Sequence, residues 1–158
     1  MSTWSQARQT FGQGAPAGGT AFDASVSLRQ MQADVETAAP GEQWAGDAAA
    51  AYEARNAEHA QMFGKLAELD TQLAAEIDKS AYVVASGRTE LDNVRDWVAG
   101  AASSLPNTPA GEAMLMPIVS KGLADLSDVI LKSHGELTAI AAKIQQLGAE
   151  YSALTVQK

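Results

Sequence analysis

From Met116 to Leu154 the apolar residues fall into two interleaved series with a period of seven. Met116, Leu123, Ile130, Leu137, Ile144 and Tyr151 form one; Val119, Leu126, Ser133, Ile140, Leu147 and Leu154 lie three residues behind. Such a period suits a long helix packed at coiled-coil angles and suits no strand, whose side chains alternate with a period of two. It predicts a helix over about 112–155, with Pro117 in the first turn, where proline is tolerated. Ser133 interrupts the pattern; a serine there ordinarily bonds back to the carbonyl four residues earlier.

The rest of the chain is helical in pattern too. No proline lies between Trp44 and Leu105, and an apolar stripe through Tyr52, Phe63, Leu66, Leu69, Leu73, Ile77, Val84, Leu91, Val94 and Val98 predicts a helix over about 47–102. At 1.5 Å per residue it would extend on the order of 80 Å. Gly64 and Gly87 are its weak points, each costing about 1 kcal/mol against alanine. Gly87 marks either a kink or a close approach of a neighbouring helix. Leu28, Met31, Val35 and Ala38, with Phe22 and Val26, predict a shorter helix over about 20–39, stopped by Pro40-Gly41. Residues 103–111, with two prolines, a glycine and small polar side chains, form the clearest turn. Residues 1–19 read as a flexible or partly ordered segment, with one helical turn carrying Trp4 and Phe11 before a Gly/Ala/Pro connector.

Alanine dominates the composition and only nine residues are aromatic, which favours close-packed helices over a sheet. The expected fold is all-α: an elongated antiparallel bundle, a single domain over residues 20–158.

Composition also removes functions. The net charge of -8, with the 11 Lys and Arg scattered, offers no basic stripe for nucleic acid and no simple attachment to an anionic membrane. Without cysteine there is neither a disulfide nor a thiol nucleophile. His59 and His134 lie on different helices without metal-ligand spacing, and no phosphate loop or dinucleotide fingerprint occurs. Carboxylate pairs such as Glu68 and Asp70, or Asp92 and Asp96, read as solvated faces. No metal, cofactor or catalytic residue is expected, and the chain is not read as an enzyme. No run approaches the ~20 apolar residues of a membrane span. Residues 1–20 lack the apolar segment of a cleavable signal peptide.

Trp44-Ala45-Gly46 sits between Pro40-Gly41 and Asp47, at the corner of the first two predicted helices. Asp47 suits the positive end of the second, so the triplet reads as the turn of a helical hairpin.

With its surroundings the triplet becomes recognisable. Pro40-Gly41-Glu42-Gln43-Trp44-Ala45-Gly46, then Ala48-Ala49, Tyr52, Asn56, His59, Phe63, Leu66-Ala67-Glu68-Leu69-Asp70, Gln72-Leu73 and Ile77 resemble the N-terminal domain of the EspA/EspE family, mycobacterial substrates of type VII (ESX) secretion. The resemblance implies export without a cleaved signal, to the medium or the cell envelope, as one half of a heterodimer of helical hairpins. In such pairs the W-x-G turn lies near a Y-x-x-x-D/E signal, and the two are read together by the secretion machinery. Here Tyr52 is followed at the fourth place by Asn56, Tyr82 by Ser86 and Tyr151 by Thr155. The acidic signal is therefore expected on a small helical-hairpin partner of the EspC or EspF type. Family members tend to be longer, so the chain is either a short member or an excised domain.

Trp44 and Gly46 are thus the candidate secretion motif. The candidate helix-helix or partner interface comprises Tyr52, Phe63, Leu66, Leu73 and Ile77 on the second helix, and Leu123, Leu126, Ile130, Leu137, Ile140, Ile144 and Leu147 on the last. The partner is a small helical hairpin, a secretion chaperone or a second copy of the chain. The alternative is a self-assembling coiled-coil scaffold with no role in secretion, in which Trp44 serves packing only.

Overall fold

The computed structural model describes residues 2–38 and 45–156. They form four α-helices, α1 (Thr3–Thr10), α2 (Ser25–Thr37), α3 (Asp47–Ser103) and α4 (Pro109–Val156), with a 3₁₀ turn at Gly19–Phe22 and no strand. The protein is an all-α helical bundle.

The chain divides into two compact units. The first comprises Met1–Ala17 and Lys79–Ala141, the second Gly18–Asp78 and Ala142–Lys158, so α3 and α4 contribute to both. In the first unit Val98 lies against Gly122, Lys132 pairs with Glu90 at 3.0 Å, and Ser133 stands opposite Gly87. The partners advance in opposite directions, so α3 and α4 run antiparallel there. In the second unit the Tyr151 hydroxyl of α4 donates to Asp70 of α3 at 3.1 Å.

Local chemistry sets the helix boundaries. The Ser2 hydroxyl accepts from the Ser5 N–H and caps α1, which runs eight residues where the sequence suggested one turn. Pro109 opens α4, and Thr108 caps it by accepting the Glu112 N–H on its carbonyl and the Gly111 N–H on its hydroxyl. Pro117, expected in the first turn, therefore lies inside the helix.

The helix predicted over 20–39 is a correction. It is split into the 3₁₀ turn and α2, because Asp23 accepts the Ser25 N–H at 2.9 Å and two α3 carboxylates hold the backbone on either side. Asp78 accepts from Gly19 N–H at 2.7 Å, and Asp70 accepts from Ala24 N–H. Side-chain acceptors that compete for backbone donors favour turns over helix interiors.

α3 is continuous through Gly64 and Gly87. A side chain at Gly87 would collide with the Phe11 ring and stand 3.0 Å from the Ser133 hydroxyl, so this glycine is a packing notch and no break. The core of the first unit is built on it: Ala7 and Phe11 of the N-terminal segment bury against Leu91, Leu126 and Val129, with Trp4, Val84, Val94 and Ile130 around them.

Candidate functional site

Gly46 stands immediately before α3 with φ +110, in the region open to glycine and costly for other residues. Its carbonyl accepts the N–H groups of Ala49 and Ala50 at 3.1 and 3.2 Å, which makes it the cap of the helix. A side chain here would meet nothing within 4 Å, so the demand for glycine is conformational. Trp44, the other half of the predicted motif, lies outside the described residues.

One and two turns into α3, Tyr52 and Asn56 each donate to the Ala38 carbonyl at 3.4 Å. Their spacing of four places both on one face, where they cap the C-terminal end of α2. Tyr52 is 40% exposed, with its hydroxyl directed at α2. Stripe counting finds its ring and misses its polar end.

Asp70 performs a similar office deeper in the second unit. One oxygen accepts from the Ala24 N–H at the start of α2 and the other from the Tyr151 hydroxyl of α4. Burial, and then the hydrogen bond to Asp70, push the Tyr151 phenol up to about 12. The expectation that Asp70 belongs to a solvated face is therefore corrected: it joins α2, α3 and α4.

The predicted interface residues divide by burial. On α3 the most deeply buried positions of the second unit are small, with Ala60, Ala67 and Ala74 seven apart and Leu69 beside them. Phe63, Leu66, Leu73 and Ile77 are half-buried flanks. Alanine lets helices approach closely, so larger residues are displaced to the sides of the seam. On α4 the series through Leu126, Ser133, Ile140 and Leu147 is buried throughout. The series through Ile130, Leu137 and Ile144 is half-buried, and Leu123 is 45% exposed.

The first unit adds two features. The Trp4 indole N–H donates to the Leu91 carbonyl at 3.0 Å, and the Arg95 guanidinium lies 4.8 Å from the Trp4 ring centre. Arg88 donates to the carbonyls of Phe11, at 2.6 Å, and Gly14, which fixes the segment after α1. Beyond Trp4 an open apolar groove of about 360 Å³ continues between α3 and α4, lined by Val94, Val98, Ala102, Val119 and Leu123.

His59 and His134 are exposed and belong to different units. Among the described residues no three His, Cys, Asp or Glu side chains are grouped to hold a metal ion.

The family model of the EspA/EspE family matches residues 11–93. The chain is 29% identical over 147 residues to the ESX-1 secretion-associated protein EspA of Mycobacterium tuberculosis, in strain CDC 1551 / Oshkosh and in strain H37Rv alike. The alignment takes in 84% of this chain and 38% of each relative, so the chain spans well under half their length. No solved structure matches. With more than half of the chain under the family model, including both sides of the Gly46 turn and the α3 stripe, the protein belongs to the EspA/EspE family.

Proposed function

We propose that this chain is a non-enzymatic substrate of a type VII (ESX) secretion system, exported as one half of a helical pair. The observation that carries the reading is the family match over 11–93, a region that contains Trp44, Gly46 and Tyr52. The relatives named as ESX-1 secretion-associated support the route. Gly46, held at φ +110 directly before α3, supports a turn whose backbone an alanine would disturb.

Association runs through helix faces. Ile130, Leu137 and Ile144 of α4, and Phe63, Leu66, Leu73 and Ile77 of α3, retain accessible apolar surface beside buried seams. The partner is a small helical hairpin bearing the Y-x-x-x-D/E signal, with the secretion machinery or its chaperone reading the pair. The product lies outside the cytoplasm, in the medium or on the envelope.

The test is secretion from a type VII-competent strain. Trp44→Ala and Gly46→Ala should leave the purified protein helical by circular dichroism and lower its amount in the culture filtrate. Co-expression with a neighbouring small hairpin protein should yield a stoichiometric complex. Secretion of both variants at the wild-type level would defeat the motif assignment.

A further inference from the structure

α1 lies in the seam between α3 and α4 of the first unit, and its contacts define what the seam recognises. Trp4, Ala7 and Phe11 share one face of the helix, and Ala7 and Phe11 bury against Leu91, Leu126 and Val129. The Trp4 indole reaches the Leu91 carbonyl and the Phe11 ring enters the Gly87 notch. Arg88 closes the C-terminal end by donating to the carbonyls of Phe11 and Gly14. Spaced anchors on one helix face, seated in a groove with a notch for a ring, are the elements of helix-in-groove recognition.

The resident helix fills only part of this seam. Trp4 meets Leu91 while Phe11 meets Gly87, so α1 runs antiparallel to α3 with its first turn toward the end of α3. Ser2 caps α1 and ends it there. The apolar groove of about 360 Å³ begins at that point. Val94 and Leu126 belong both to its lining and to the packing around α1, so seat and groove are continuous. From Val94 to Ala102 is about 12 Å of α3, a little over two helical turns. At the other end the Arg88 Nε is buried and meets no acceptor among the described residues.

α1 is also built to leave. Eight residues are too few for a helix to persist without its seat. It is tethered through exposed residues 12–17, which turn at Gly12 with φ +68 and Gly14 with φ +78. Its ion pair to α3, Arg8 with Asp92 at 3.9 Å, is solvent-exposed and holds it weakly. Tethering gives α1 an effective concentration in the roughly millimolar range. A helix on the same track that also buries two large apolar side chains in the groove gains about a hundredfold or more in affinity.

We propose that the seam from Gly87 to Ala102 is a helix-binding site that α1 occupies in part and guards. Its ligand is an amphipathic helix of a partner chain that repeats the apolar spacing of Trp4, Ala7 and Phe11 and runs about two turns further, displacing α1. The site requires nothing of the secretion route, since Gly46 belongs to the second unit.

The test uses the full chain, isotope-labelled, and two synthetic helices. The short one is residues 2–14 of this chain; the long one adds two helical turns with leucines four and seven residues before the tryptophan. The long helix should bind wild type at least tenfold more tightly than the short one, and the α1 amides of the chain should lose their protection from hydrogen exchange. Val119→Glu changes an exposed residue that lines the groove, 44% accessible. It should keep the wild-type melting curve and weaken the long helix by about tenfold or more. Phe11→Ala, which loosens α1, should strengthen binding of both helices. The proposal is overturned if the long helix fails to bind wild type, if it binds while α1 stays protected, or if Val119→Glu binds it like wild type. It is equally overturned if a second copy fills the groove, seen as a doubled mass that Val119→Glu halves.

Discussion

The ring of Phe11 occupies the notch left on α3 by the missing side chain of Gly87. The notch is why an N-terminal helix of eight residues, far too short to persist alone, holds its place in the first unit.

Gly87→Ala tests this by sign. In a free helix interior alanine is better than glycine by about 1 kcal/mol. Here the added methyl collides with Phe11, so the variant should be less stable by about 1–3 kcal/mol in a urea titration. Phe11→Ala should lose much of its own cost in the Gly87→Ala background. A stabilised Gly87→Ala protein would show that the notch is empty.

Arg88 and Trp4 anchor the same segment by different bonds. Arg88→Met removes two charge-assisted donors to the Phe11 and Gly14 carbonyls and should cost about 1.5–3 kcal/mol. Trp4→Phe removes the single indole bond to Leu91 O and should cost about 1 kcal/mol. Hydrogen exchange should speed up across α1 in both variants.

Tyr151 gives a pH signature. Its phenol, held up to about 12 against an ordinary 10.0, is favoured in the neutral form by the folded state. The stabilisation is complete below pH 10 and is lost as the pH rises through about 12. Absorbance at 295 nm should show one of the three tyrosines ionising late, and Tyr151→Phe should delete that step.

Burial separates the leucines of α4. Leu147 is 0% exposed, and Leu147→Ala should cost about 2–5 kcal/mol. Leu131 is 69% exposed, and Leu131→Ala should change stability by no more than about 0.5 kcal/mol. Thermal melts of both variants provide the comparison.

Periodicity and punctuation are local properties, and they sufficed for the all-α class, although α4 opens at Pro109, three residues before the predicted start. A period of seven, proline-free length and a turn with two prolines act within a few residues and need no partner to be read. Gly46 was legible on the same grounds, as the last residue before a helix start.

Tertiary structure decided which of two apolar series became the seam. Leu126, Ile140 and Leu147 look no more apolar than Leu137 and Ile144, yet the first set is buried and the second half-buried. On α3 the seam runs through alanines, which a search for large apolar residues passes over. The same holds for Asp70, Asp78 and Arg88. Each meets backbone donors or acceptors at least 46 residues away in sequence, and no local pattern encodes so distant a pairing. Secondary structure follows from interactions along a turn of helix, whereas the choice of buried face follows from which neighbours the folded chain supplies.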